Sequence, residues 1–201
     1  MDDEDQATLV GLIDGEEREA DPDARSDLSA ALARVQLGDD AALEILYDEL
    51  DFPVKGDPEK LFGIEKDPLV RQLGLYARFR DMGDVGWGVA ITHLDNVAER
   101  LVRAAYLLCP GGSDRIKREI ASDPRKPDYG ALIGALSSVK ELKPVQDDCG
   151  KLHDIRSKSS EVPHPGEQPD HDTWVTAQHC FKEVAKVCIR ILMAAAGGRG
   201  G

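Results

Sequence analysis

The chain has 201 residues, of which 41% are hydrophobic and 5% aromatic, and a formal net charge of −13. That length suits one large domain, or one domain with a smaller appendage, and the apolar share is enough to close a core. No stretch approaches the roughly 20 apolar residues of a membrane-spanning helix, and the start "MDDEDQ" has neither the basic nor the apolar part of a secretory leader, so a cytoplasmic protein is expected.

The charge is unevenly spread. Residues 1–68 hold 21 acidic against 6 basic side chains, a balance of −15, whereas residues 69–201 hold 17 against 19, a balance of +2. The first third is therefore expected to repel nucleic acid and to suit a basic protein partner, or simply to form a solvated acidic surface. Its pattern predicts short acidic helices over residues 2–50. Leu28, Leu32 and Val35 recur at helical spacing behind a Ser26 or Asp27 cap, Gly38 interrupts, and Leu43, Leu46 and Leu50 mark a second helix. "DFPVKGDPEKLFG" reads as a linker, with two prolines and two glycines.

After Pro68 the spacing predicts a helix through "LVRQLGLYARFRDM", then a break at "GDVGWG". The strongest pattern follows, "VAITHLDNVAERLVRAAYLL", with Leu94, Val97, Leu101, Ala104, Ala105 and Leu108 on one stripe and Glu99 four residues before Arg103. "CPGG" ends it. Ser113 to Pro127 reads as a polar connection carrying Arg115, Lys117, Arg118, Arg125 and Lys126. Shorter helices are predicted over Tyr129–Val139 and Pro144–Ile155, and a final one from an Asp172 cap, with Trp174, Ala177, Phe181, Val184, Cys188, Ile191 and Leu192 at helical steps. "GGRGG" is expected to be a flexible tail. The expectation is an all-α protein: an acidic helical region over 1–68, a helical bundle over 69–196 and a tail over 197–201.

Most familiar chemistries lack their motifs. There is no GxGxxG or GxxxxGK[ST] glycine loop, no GxSxG elbow, and no HExxH or EF-hand spacing. Cys109, Cys149, Cys180 and Cys188 form no CxxC pair; Cys180 and Cys188 fall in a helical pattern as small packing residues. A zinc site drawn from Cys149, His153, His179 and Cys180 lacks metal-ligand spacing, so neither metal nor other cofactor is expected.

One stretch stands apart: "LHDIRSKSSEVPHPG" holds an arginine, a run of hydroxyl residues and a histidine between two prolines. Arginine offers a planar, permanently charged donor fork for phosphate oxygens, and histidine exchanges a proton near neutral pH. Together they are a minimal kit for cutting RNA without metal, where the 2′-hydroxyl attacks the adjacent phosphate. Ser157, Lys158 and Ser160 are candidates for holding the phosphate. The ordinary alternatives are a helix-end arginine at the negative pole of its helix and an exposed loop histidine. His153 and Asp154 read as surface residues or as partners behind the site, with the surface preferred. His171 and His179 read as bystanders, and His93 as a packing or boundary residue.

"GVAITHLDNVAERLVRAAYLL", "GKLHDIRSKSSEVPHPG" and "DTWVTAQHCFKEVAKVCIRIL", in that order, make the region from Asp84 to Met193 resemble the HEPN superfamily of four-helix domains. The likeness is to the version at the C-terminus of bacterial abortive-infection proteins. It implies a C-terminal four-helix bundle and a metal-independent ribonuclease, working in antiphage defence or as a toxin-like module. It also implies a homodimer with one arginine–histidine pair from each subunit in a shared cleft. By position, Arg156 is the family's arginine and His164 its histidine. Ser157 stands where the family often has Asn, and seven residues separate Arg156 from His164, more than is usual there. A non-catalytic interaction module of the same fold is the other expectation.

Overall fold

The computed structural model describes residues 66–123, 125–160 and 168–197, which form six α-helices and two 3₁₀ turns, with no strand among them. The acidic helices and the linker expected from the sequence lie outside the described residues, as does the expected tail except Gly197, which ends the last helix. Helix α1 spans Lys66–Arg80 and α2 Asp84–Leu108. The short α3 (Asp114–Ser122) and α4 (Tyr129–Ala135) follow, then α5 (Gln146–Ser160) and α6 (His171–Gly197). None is long and apolar enough to cross a membrane.

Helix α2 is the centre of the described helices because its apolar arc is unusually wide. Ala90, Ile91, Leu94, Val97, Ala98, Leu101, Val102 and Ala105 are all buried, covering more than the single stripe that one neighbour would need. Three helices share that arc: α1, α5 and α6 each pack against α2, and α6 also packs on α5. Leu73, Tyr76 and Phe79 of α1 and Ala177, Phe181, Val184 and Cys188 of α6 complete the core. An aromatic ladder ties three of these helices together. Trp174 stacks on Trp87 with ring centres 5.8 Å apart and on Tyr76 at 6.1 Å. The Tyr76 hydroxyl accepts a hydrogen bond from Gln178 at 3.1 Å.

The predicted break at "GDVGWG" is a correction. The break is only Asp81–Gly83, and α2 already begins at Asp84, so Gly86 and Gly88 are helical. Gly83 turns the chain with a positive φ of 71°. Gly86 is glycine for space: a Cβ there would lie 2.0 Å from the Phe79 carbonyl oxygen, so the end of α1 presses directly onto the first turn of α2.

The polar connection also hides a helix. In α3 the large apolar residues are Ile116 and Ile120, one turn apart, and only Ile120 is buried. The connection is pinned to α2. Ser113 N–H donates to the Tyr106 hydroxyl at 2.9 Å, and Lys117 Nζ donates to the Cys109 carbonyl. Arg103, buried on α2, donates to Glu99 at 2.8 and 2.5 Å and to the carbonyls of Lys126 and Pro127 at 3.0 and 2.7 Å. The expected Glu99–Arg103 pair is thus formed, and it also holds the chain that leads into α4. Asp128 caps α4 by accepting from Ala131 N–H at 3.0 Å.

Several helix ends differ from the sequence reading: α4 stops at Ala135 and gives way to a 3₁₀ turn, and α5 starts at Gln146 after another. Helix α5 does not stop at Ile155 but runs on to Ser160. Helix α6 is capped by Asp170, not Asp172: the Asp170 carboxylate accepts Thr173 N–H at 2.8 Å, and its carbonyl accepts Trp174 N–H at 3.0 Å. On the predicted α2 stripe, Leu94, Val97, Leu101 and Ala105 are buried, Ala104 is half-buried and Leu108 is exposed.

Candidate functional site

Because α5 continues past Ile155, Arg156, Ser157 and Lys158 project from a helix rather than from a loop. Hydroxyl residues fit there by bonding back to the preceding turn, as Ser159 Oγ does to the Ile155 carbonyl at 2.8 Å. Arg156 and Ser157 are half-buried and Lys158 is exposed. Ser160 ends the helix. His164 lies outside the described residues, as does the rest of 161–167. The two flanks of that segment come to one place: a Cβ at Gly88 of α2 would sit 3.7 Å from Ser159 Cβ and 3.6 Å from Gln168 Oε1.

Arg156 differs from Arg103 in a telling way. Arg103 spends its donors on a carboxylate and two carbonyls. Arg156 makes no hydrogen bond or ion pair with any described residue, and its Nε is sealed from solvent without a partner. Its charge is felt by Asp95, on the facing side of α2.

Asp95 is the residue that the sequence reading missed. Its carboxylate is 4% exposed, and Oδ2 accepts from His153 Nδ1 at 2.9 Å. Oδ1 has no partner among the described residues. Burial pushes the Asp95 carboxyl above its ordinary range, the largest of the effects on it; the His153 hydrogen bond and the positive charge of Arg156 pull the other way without cancelling it. The signal was in the sequence. Ile91, Asp95, Ala98 and Val102 form one row of α2, so a carboxylate sits where its neighbours are buried.

His153 was expected at the surface and is instead half-buried, a correction that Asp95 explains. Its ring stands edge-on to Tyr129, with centres 5.2 Å apart and planes at 83°. With Nδ1 given to Asp95, Nε2 makes no hydrogen bond with a described residue and is not among the sealed atoms. His153 and Arg156, three residues apart, share a face of α5. Asp154 is exposed, as expected, and so are His171 and His179.

The other titratable groups fall to packing. His93 is buried and stacks on Phe79 at 6.1 Å, and its Nδ1 donates to Gln72 Oε1 at 2.7 Å. Burial, helped by the Arg71 charge, pushes its pKa down to about 4, so this imidazole is neutral in the folded protein. All four cysteines are buried thiols; burial raises Cys149 to about 12 and Cys180 to about 11. No group of three His, Cys, Asp or Glu among the described residues is arranged to hold a metal ion. A cleft of about 670 Å³ opens at the N-terminal ends of α2 and α6, lined by Asp84, Trp87, Gln168, Pro169, Asp170 and His171. In the connection, Arg115 pairs with Glu119 at 2.8 Å, and Lys117 is held by the Cys109 carbonyl, so neither is a free phosphate contact.

No family model, curated protein or solved structure matches this chain.

Proposed function

We propose that the chain is a metal-independent endoribonuclease of the HEPN kind, serving antiphage defence or acting as a toxin-like module, with RNA phosphate held by Arg156 and protons moved by His164. The observation that carries this reading is the state of Arg156. A half-buried guanidinium that no carboxylate among the described residues pairs with directly has donors left for an anion, and a bidentate phosphate suits its fork. The nearby Asp95 carboxylate acts on Arg156 through its charge, but no hydrogen bond or ion pair joins the two, and its Oδ2 accepts from His153. The meeting of Ser159 and Gln168 at Gly88 also supports the reading, because these described residues on either side of 161–167 come together there, and Ser159 is one turn along α5 from Arg156. The homodimer with paired sites, and the bundle type, belong to the same proposal.

The test is cleavage of labelled single-stranded RNA in EDTA by the wild type and by an Arg156→Ala, His164→Ala double variant. Cleavage that falls by about a hundredfold or more in the variant supports the enzyme.

A second reading keeps the scaffold without the chemistry. Val85 and Val175 are 55% and 46% exposed beside the Trp87–Trp174 stack, an apolar surface at which a protein partner or second copy can dock. A stable dimer with no cleavage by either protein favours this interaction module.

A further inference from the structure

We propose that His153 is a proton-transferring residue of the same site: its Nε2 takes the proton of an RNA 2′-hydroxyl while Arg156 holds the adjacent phosphate, and Asp95 positions the imidazole. The substrate class rests on the nuclease reading above; the assignment of His153 rests on the geometry of α2 and α5.

Three observations support it. Nδ1 is committed to Asp95 Oδ2 at 2.9 Å, which fixes the tautomer and leaves Nε2 as the basic nitrogen. The His153 side chain keeps 26% exposure while Asp95 keeps 4%, so the orienting carboxylate is sealed and the imidazole still meets solvent. Arg156 lies on the same face of the helix three residues on, and Tyr129 stands edge-on to the imidazole at 5.2 Å, limiting its rotation.

A bridge serving only to join two helices would not need this chemistry. A buried carboxylate with one oxygen unpartnered destabilises the fold, and an apolar pair of similar size would pack better. Groups kept at such a cost are concentrated at functional sites.

In the step, the 2′-oxygen bonds to phosphorus as its proton passes to His153 Nε2. The bond from phosphorus to the 5′-oxygen breaks, and the departing oxygen takes a proton from water, a transfer that His164 of the nuclease reading relays. The hydroxide so formed recovers the proton from His153. The products are a 2′,3′-cyclic phosphate and a free 5′-hydroxyl, with no redox change and water as the only other participant. The titratable groups facing the imidazole are Asp95 of α2, bonded at Nδ1, and Tyr129 of α4, edge-on to the ring, with Arg156 on the same face of its own helix.

The test variant is His153→Asn. The asparagine amide reaches nearly where Nδ1 was and still donates to Asp95, but it cannot accept a proton at Nε2. With RNA in EDTA, kcat is expected to fall by roughly 10²–10⁴-fold, with KM and the thermal midpoint little changed and the acid limb of the pH–rate profile lost. Asp95→Asn, the positioning variant, is expected to lower kcat and displace that limb without lowering the thermal midpoint. If the wild type cleaves and a folded H153N cleaves at the same rate with the same profile, His153 only joins helices, and the Arg156 reading stands without it. Should H153N not fold, a folded D95N with the wild-type rate and profile overturns the proposal equally. A wild type that leaves RNA intact removes both this assignment and the nuclease reading.

Discussion

Acid should unfold this protein partly through His93. Its Nδ1 is tied to Gln72, its Nε2 is sealed without a partner, and burial pulls its pKa to about 4. In the unfolded chain the same imidazole titrates near 6.5. The folded value is the lower one, so the unfolded state takes up the proton first as pH falls. The stability that depends on neutral His93 is fully present above about pH 6.5 and is lost as pH drops through about 4. From those two values, about 2 kcal/mol is lost by pH 5 and about 3 kcal/mol by pH 4. His93→Leu removes the titration and keeps similar bulk, and Gln72 Oε1 still accepts from Asn96 at 3.2 Å. The assay is urea unfolding of both proteins at pH 7, 5 and 4. Asp95 acts in the opposite sense, since its raised carboxyl value adds stability on the acid side, but it is present in both proteins and cancels in their difference. Wild-type stability should fall relative to H93L by those amounts. A difference that stays constant from pH 7 to pH 4 would refute the reasoning.

Three further outcomes follow from the packing. Arg103→Met strands Glu99 and two backbone carbonyls at the edge of the core; because Glu99 is 28% exposed, the expected loss is about 2–3 kcal/mol in chemical denaturation, at or below the low end for a fully buried pair. Gly86→Ala forces the first turn of α2 away from the Phe79 carbonyl and is expected to cost about 1–3 kcal/mol by the same measurement, whereas Gly134→Ala, with nothing near its Cβ position, should be neutral or stabilising. The four buried thiols, raised by burial, should resist alkylation at pH 8 in the native protein and react fully in urea.

Much of the fold was legible because α2 and α6 carry long apolar rows that no other element matches. The misreadings have local causes. Three glycines suggested a break before Val89, but only Gly83 lies in it, and Gly86 marks a close approach of backbones inside a helix. Helix α3 shows a single pair of large apolar residues, too little periodicity to outweigh its charge. Helix α5 outran its predicted end because serine can close its hydroxyl onto the preceding turn, as Ser159 does. At the site, Arg156 was legible as a residue type, but that it pairs directly with no described residue was not, since partners come from other helices. The Asp95–His153 contact joins positions 58 residues apart, beyond any local pattern, although a carboxylate inside an apolar row was a visible warning.

The most direct measurement is end-group analysis of an RNA oligonucleotide incubated with the protein in EDTA, beside a copy whose preferred cleavage position carries 2′-deoxyribose. The account predicts a 2′,3′-cyclic phosphate and a 5′-hydroxyl from the all-ribose strand, no cleavage at the deoxy position, and loss of both products in Arg156→Ala. Cleavage that persists at the deoxy position, or that Arg156→Ala leaves untouched, would contradict it.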